Sequence, residues 1–238
     1  MMTDQTLGHR SITEEPPLPT TAQQHAAAIA AIVRDGRLHT SADFTSAGIH
    51  PVYLAKALAD ERVVQYGRGI YFGSWEQATE HVDLAAVSLA YPGGVVCLGS
   101  AAQVHNMSNE DPPAIFYAVE KAKIRRQLKV GPSVPVQGVY WKARDLEVGI
   151  EVRTIMGVEV RITDPARTVI DLLRYRNRLG DEPGTKALTD YLRDRHGTVR
   201  ALWKAALELD CKAQVEPFLR FAEEVVEAIP PPGRAPGA

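Results

Sequence analysis

The sequence predicts an α+β protein, with an N-terminal winged helix-turn-helix followed by a mixed α/β domain that has a helical C-terminal part. Three observations lead to this prediction. Apolar residues recur at helical spacing in short stretches between residues 23 and 59. An alternating stretch around Gly67-Arg68-Gly69 follows and is typical of a hairpin. Beyond residue 163 the pattern becomes that of successive amphipathic helices.

The first two helices are predicted from apolar spacing and end signals. The first runs from about Gln23 to Arg34, and Gly36 is placed to end it. The run Thr40-Ser41-Ala42-Asp43 is a start signal for the second, because a hydroxyl and a carboxylate satisfy the free amides of a new helix. This second helix is short and stops at Gly48.

A third helix begins after His50, since Pro51 suits a first helical turn, where no backbone N–H is needed. A helical projection divides its side chains between a buried face, formed by Leu54, Ala55 and Leu58, and an exposed face, formed by Val52, Tyr53 and Lys56. An exposed tyrosine and lysine on the second helix of such a pair are candidates for major-groove and phosphate contacts.

Two arginines flank the predicted hairpin: Arg62 precedes it and Arg68 lies at its tip, where guanidinium groups pair phosphates or enter a narrow minor groove. The predicted DNA-binding residues are Ser41, Thr45, His50, Tyr53, Lys56, Arg62 and Arg68. Winged helices also serve as protein-interaction modules, and that interpretation stays open because basic and acidic residues nearly cancel here. The weak charge predicts modest non-specific affinity and reliance on a dimer or on repeated sites.

The chain length predicts two folded domains between loose ends. At 238 residues the chain exceeds one winged helix by a wide margin. The predicted division is a disordered tail over residues 1–21, the DNA-binding domain over 22–73, an α/β domain over 74–229 and a second disordered tail over 230–238.

The charge and hydropathy patterns restrict the class of protein. With 27 basic and 29 acidic residues the formal charge is −2, which argues against bulk packaging of nucleic acid. No basic-then-apolar leader is present, and no apolar run approaches the roughly 20 residues that span a bilayer. We therefore expect a soluble, cytoplasmic protein without a membrane partner.

The second domain is predicted as a sheet with helices before and after it. The expected elements are a helix over 82–89, a buried stretch over 95–98 leading into 100–105, strands over 115–119 and 136–141, a hairpin of 150–155 with 158–162, a helix opened by Thr163-Asp164-Pro165, and helices over 186–193, 199–209 and 215–229. Asp or Thr suits the cap of the central helix, and Pro165 suits its first position.

No pattern for catalysis, metal binding or cofactor binding is found. Gly99-Ser100 is not followed by the paired acidic residues of a magnesium-dependent transferase, and no phosphate-binding loop occurs. The seven histidines are scattered, and no Asp with a following Glu-x-Lys forms a nuclease site. Cys97 and Cys211 lie in apolar runs that favour reduced core residues, and burial should raise the pKa of the Cys97 thiol.

A basic strip follows the strand predicted over 115–119. It consists of Lys121, Lys123, Arg125, Arg126 and Lys129. One interpretation is a solvated edge that resists aggregation. The other is a functional surface that extends the DNA footprint or meets an acidic face of a partner.

Three runs, in this order, carry a resemblance to a known family. The first is the predicted winged-helix run, from residues 47–49 through residues 68–71. The second is Leu98-Gly99-Ser100-Ala101-Ala102 followed by Pro112-Pro113-Ala114-Ile115, and the third is the eleven residues from Thr163 to Leu173. Together they resemble the AbiEi family, the antitoxin half of type IV toxin-antitoxin (abortive infection) systems. The likeness spans roughly residues 26–174, and its order is more specific than any single run.

The resemblance implies a binding protein rather than an enzyme. Its winged helix would repress its own operon at repeated promoter sites, and its second domain would counter a nucleotidyltransferase-like toxin encoded nearby. Two alternatives remain: a winged-helix transcriptional regulator whose second domain senses a small ligand, without a toxin partner, and an enzyme tethered to DNA. The first would show ligand-dependent DNA affinity, the second metal-dependent cleavage or nucleotide transfer.

Overall fold

The computed structural model describes residues 20–108, 111–120 and 135–228. The predicted tails therefore lie outside the described residues, apart from Thr20 and Thr21, and so do all five residues of the basic strip. The described part is a mixed α+β fold with ten α-helices and two sheets, and the predicted α+β class is confirmed. Within the same ranges, every helix is too short or too polar to cross a lipid bilayer.

The N-terminal unit has three helices and a small antiparallel sheet. Its elements are α1 (Thr21–Val33), β1 (His39–Thr40), α2 (Ser41–Ser46), α3 (Pro51–Ala59), β2 (Val64–Gly67) and β3 (Ile70–Phe72). The strand order is β1-β3-β2. Helix α1 begins earlier than predicted because Thr20 caps it: the Thr20 hydroxyl accepts a hydrogen bond from the Gln23 amide, and the Gln23 side chain accepts one from the Thr20 amide.

The N-terminal core is a small apolar cluster beneath these helices. Its buried members are Ile29, Val33, Phe44, Ile49, Leu54, Ala57, Val63 and Tyr71. Phe44 and Tyr71 pack edge to face, with ring centroids 5.6 Å apart. The cluster holds α1, α2 and α3 against the sheet, and so determines which side of α3 faces solvent.

The second unit is built on a five-stranded mixed sheet. A 3₁₀ turn (Trp75–Gln77) leads to α4 (Val82–Ala90), β4 (Val95–Val96), α5 (Leu98–Val104), β5 (Ile115–Glu120), β6 (Val136–Trp141), a second 3₁₀ turn (Ala143–Leu146), β7 (Ile150–Ile155) and β8 (Val158–Thr163). The strand order is β6-β5-β4-β8-β7, with β5–β6 and β4–β8 parallel and the other pairs antiparallel. The predicted hairpin across residues 156–157 is confirmed.

The C-terminal part is helical, as predicted. It comprises α6 (Pro165–Arg174), α7 (Arg176–Leu179), α8 (Glu182–Arg193), α9 (Val199–Glu208) and α10 (Lys212–Ala228). The Asp164 carboxylate caps α6 by accepting a hydrogen bond from the Arg167 amide, and Pro165 occupies the first helical position. Helix α8 starts four residues before its predicted beginning, with Pro183 in its first turn.

The N-terminal unit packs against the second unit without a spacer. The Leu38 amide donates a hydrogen bond of 3.0 Å to the Met156 carbonyl, and Arg37 Nη2 donates one of 3.0 Å to the Gly157 carbonyl. Ile70 and Phe72 of β3 are buried in one apolar cluster with residues of α4 and the five-stranded sheet, which we call the shared core. Apolar contacts thus cross the predicted boundary at residue 73.

Candidate nucleic-acid interface

Helices α2 and α3 are joined by a tight turn with well-defined geometry. The Gly48 amide donates to the Thr45 carbonyl and the Ile49 amide donates to the Phe44 carbonyl, both at 3.0 Å. These are the two hydrogen bonds of a Schellman motif, and Gly48 takes the left-handed conformation it needs, with φ +75°. Phe44 and Ile49 are both buried in the N-terminal core, which secures the turn with an apolar contact.

The face of α3 that packs on the core differs from the predicted one. Leu54 and Ala57 are buried and Leu58 is half-buried, whereas Ala55 is exposed. The prediction that Ala55 faces the core is therefore wrong. Leu54, Ala57 and Leu58 are at positions i, i+3 and i+4 and share one face of the helix. Ala55 directly follows Leu54 and so lies about a quarter-turn away from that face.

The prediction that Tyr53 lies on an exposed face is only partly right. Its ring stacks on His25 of α1, with ring centroids 4.1 Å apart and an interplanar angle of 25°. The residue is consequently half-buried. Val52 and Lys56 are exposed as predicted. Helix α1, which is distant in sequence, thus covers part of the α3 face that the local pattern predicts to be exposed.

The hairpin tip adjoins the beginning of α2. The Ser41 amide donates a hydrogen bond of 3.1 Å to the Gly69 carbonyl, and a Cβ on Gly69 would lie 3.3 Å from Ser41 Oγ. Thr45, one turn further along α2, donates from its hydroxyl to the Ser41 carbonyl at 3.0 Å. Arg68 is exposed in this two-residue turn. The structure therefore brings Ser41, Thr45 and Arg68 together.

Lys56, Tyr53 and Arg62 form a second group beside α1. They line a groove of about 170 Å³ between α1 and α3. Asp60 also lines this groove, and its carboxylate lies 4.0 Å from Arg62 Nε. Both members of this pair are largely exposed, so the attraction is weak and leaves Arg62 available to another anion. His50, between the two groups in sequence, caps α3 by accepting a bond from the Val52 amide at Nδ1.

Several acidic side chains of the N-terminal unit are engaged in local hydrogen bonds. Asp43 Oδ2 accepts from the Thr40 amide at 2.6 Å, and Asp35 Oδ1 accepts from the Arg37 amide at 2.9 Å. Within the described ranges, Lys56 and Arg68 have no carboxylate within 4.0 Å. Two of the four carboxylates in this segment, Asp35 and Asp43, are thus occupied by backbone amides, while Asp60 and Glu61 are exposed like the cations.

The charged residues in the run from Thr163 to Leu173 hold the second unit together. Arg167 and Asp171 are fully buried, and Arg167 Nε donates to Asp171 Oδ2 at 2.8 Å. Arg167 Nη1 also donates to the carbonyls of Asp145 and Val148, and its guanidinium lies 4.4 Å from the centre of the Trp141 ring. These contacts fasten α6 to the second 3₁₀ turn, which is a structural role.

The second unit also contains a cavity that the sequence reasoning missed. Its volume is about 310 Å³, and it lies between α5, α8 and the segment before β5. The lining includes Met107, Pro112, Phe116, Leu172, Arg178 and Lys186. No local signal could have indicated it, because these residues come from segments far apart in the sequence.

The described ranges contain no cluster of side chains suited to a metal ion. No three His, Cys, Asp or Glu side chains within those ranges are arranged to hold a metal ion. Cys97 and Cys211 are both free and buried, as predicted. Burial raises the pKa of the Cys97 thiol well above its ordinary value, in the direction expected for a core cysteine.

Comparison with solved structures supports the fold. The chain is similar to the crystal structure of the RV2827C protein from Mycobacterium tuberculosis, with a TM-score of 0.57 and 14% sequence identity. The match covers 87% of this chain and 79% of that one, so both units are included. No protein-family model matches the sequence, and no curated protein matches it either.

Proposed function

We propose that residues 22–73 form a winged helix-turn-helix that binds promoter DNA, and that the protein is an antitoxin that represses its own operon. The observation that carries the DNA-binding part is the arrangement of α2, a tight turn and α3 beside a hairpin. Exposed cations lie at the hairpin tip, where Arg68 is, and beside α1, where Lys56 and Arg62 are. The antitoxin part, with a nucleotidyltransferase-like toxin as partner, rests on the resemblance of the three sequence runs to the AbiEi family.

The geometry suits an approach of α3 to a major groove. In helix-turn-helix proteins the second helix enters the groove while the first crosses the backbone. Here α3 presents Lys56 to solvent, and Ser41 and Arg68 lie together at the start of α2. Cations at both places can contact phosphates, which would orient the protein on the duplex.

Binding to a promoter fragment from the protein's own operon tests the DNA-binding part. We expect Lys56→Ala and Arg68→Ala each to weaken binding and to lower the slope of log affinity against log salt by about one. Lys142→Ala and Arg200→Ala are matched controls, because both residues are exposed on the second unit. Unchanged binding in both test variants, or equal losses in the controls, would refute this orientation.

Cell growth on induction of the adjacent gene tests the antitoxin part. Growth arrest that the full chain relieves would support it. The Lys56→Ala, Arg68→Ala double variant should still relieve arrest if the second unit neutralises the toxin, while repression of the operon is lost. These point variants are preferable to deletion of residues up to Phe72, since that deletion would expose the shared core.

The cavity in the second unit favours one alternative function. A volume of about 310 Å³ lies at the lower end of the range for small-molecule sites, and its lining is mostly apolar with charged groups of both signs, which are Arg178, Lys186, Asp111 and Glu182. A ligand-sensing transcriptional regulator would use such a site. A harmless neighbouring gene, together with a DNA affinity that changes when a small metabolite is added, would favour this alternative.

A further inference from the structure

We infer that the exposed face of α3 recognises the 5-methyl groups of thymine in the major groove. The preferred half-site would then contain thymines at the base pairs that lie against Val52 and Ala55. This inference rests on the proposed DNA-binding function and adds to it the chemical feature of the sequence that is read.

Beyond Pro51, which is exposed at the first helical position, the exposed side chains of α3 form one stripe. They are Val52, Ala55, Lys56 and Ala59, at positions i, i+3, i+4 and i+7. Val52 is 64% exposed, which is a high value for a branched apolar residue in a folded unit. Lys56 is the one member with a hydrogen-bonding group, so apolar carbon makes up the rest of the stripe.

The composition of this stripe limits which bases it can distinguish. Adenine, guanine and cytosine are identified in the major groove by hydrogen bonds, typically from arginine or lysine to guanine, asparagine or glutamine to adenine, and glutamate or aspartate to cytosine. Lys56 is the one residue of these types in α3, so hydrogen-bonded readout from this helix is limited to a single position. Thymine alone presents an apolar group there, its 5-methyl, and this group is recognised by apolar contact. The valine and alanine methyls are therefore suited to thymine.

The nearby polar side chains are already engaged within the protein. His50 Nδ1 accepts a bond from the Val52 amide, the Thr45 hydroxyl donates to the Ser41 carbonyl, and the Ser41 hydroxyl lies 3.4 Å from the Tyr71 hydroxyl. These bonds hold α2 and α3 in place, and the remaining capacity of these groups suits phosphate oxygens and base edges alike. The apolar stripe is the part of this surface that is suited to thymine.

The size and charge of the stripe also fit a duplex. Val52 and Ala59 are seven residues apart, so the stripe is about 10 Å long, which corresponds to roughly three base-pair steps. The small alanine side chains allow the helix axis to approach the base edges closely. From Pro51 to Ala59 the only charged residue is Lys56, so no carboxylate within the helix itself would oppose a phosphate.

The test begins with selection of duplexes from a random-sequence library by the full-length protein. Each thymine of the selected half-site is then replaced singly by deoxyuridine, which removes only the 5-methyl group. We expect about fourfold weaker binding at each contacted position, which corresponds to roughly 0.8 kcal/mol for one buried methyl. Positions outside the α3 contact should show no change.

The Val52→Ala variant identifies the protein group involved. We expect it to bind the thymine and uracil duplexes equally at one position, because the contact is already lost. Val152→Ala is the matched control: this valine is 57% exposed on β7, and its loss should leave both the affinity and the thymine preference unchanged.

The outcomes separate the inference from the proposed function. Sequence-selective binding with no uracil effect, or a Val52→Ala loss that is equal for both duplexes, would overturn the inference and leave DNA binding intact. Failure to enrich any duplex would overturn both. A uracil effect that disappears in Val52→Ala would establish the inference.

Discussion

Removal of the Asp171 carboxylate is expected to destabilise the protein strongly. The side chains of Arg167 and Asp171 are 0% exposed, and their ion pair is 2.8 Å long. Arg174 Nε lies 3.0 Å from the other carboxylate oxygen. Burial raises the pKa of the Asp171 carboxyl, while the two guanidinium charges act in the opposite direction. Asp171 is thus the shared counter-ion of two arginines.

The size of the stability loss follows from the contacts that Arg167 retains in the Asp171→Ala variant. Its Nη1 still donates to the carbonyls of Asp145 and Val148, at 3.0 Å and 2.7 Å, and its guanidinium still lies over Trp141. These contacts retain the guanidinium in the interior, where its charge is no longer compensated. Breaking a buried pair in this way costs about 3–5 kcal/mol, a large part of the total stability of a domain.

Urea unfolding followed by far-ultraviolet circular dichroism measures this loss. Glu208→Ala is a matched control, because Lys204 and Glu208 form an i,i+4 pair of 3.8 Å with side chains 73% and 46% exposed. We expect it to cost less than about 1 kcal/mol. An Asp171→Ala loss as small as that of the control would refute the argument that an uncompensated buried charge dominates.

Two further predictions concern buried titratable groups. Burial lowers the pKa of His105 from its ordinary value of 6.5, and its Nδ1 lies 3.2 Å from Arg153 Nη2, which disfavours the protonated ring. Because the unfolded chain binds this proton first, the free energy of unfolding should fall as the pH drops from 6.5 through the lowered pKa. Urea titrations at several pH values measure this dependence, and His105→Gln should make it less steep. Equal pH dependence in the two proteins would contradict the prediction. Burial also raises the thiol pKa values of Cys97 and Cys211, so both should react with iodoacetamide far more slowly in the native protein than in urea, and equal rates would show that one of them is accessible.

Much of the fold could be predicted because its signals are local. The start of α2 depends on residues three apart, whose hydroxyl and carboxylate satisfy nearby amides, and the start of α6 depends on Asp164 followed by Pro165. The hairpin of β7 and β8 is defined by a turn at residues 156–157 and by alternating apolar residues on both sides. Such features can be recognised in the sequence alone, since they involve only residues that are close along the chain.

The candidate interface was predicted less completely. Lys56 and Arg68 are exposed as expected, since flexible cations avoid the core. Tyr53 is half-buried because α1 reaches it, and Ala55 faces solvent because the core contacts α3 from the side of Leu54 and Ala57. The relation of α3 to α1 depends on contacts between residues nearly thirty positions apart. A helical projection of α3 uses only the residues of α3 and therefore cannot predict these contacts.

By itself, the sequence determined the α+β class, most of the helices and strands, and the caps of α2, α3 and α6, because hydrophobic periodicity and capping act between close neighbours. Only the tertiary structure decided the strand order, the shared core, and the burial of Arg167 with Asp171, because each depends on segments that meet from distant parts of the chain. The charges of Arg167 and Asp171 are indistinguishable in sequence from those of a solvated helical pair such as Lys204 and Glu208. Their environment, and therefore their energetic effect, is set by packing alone.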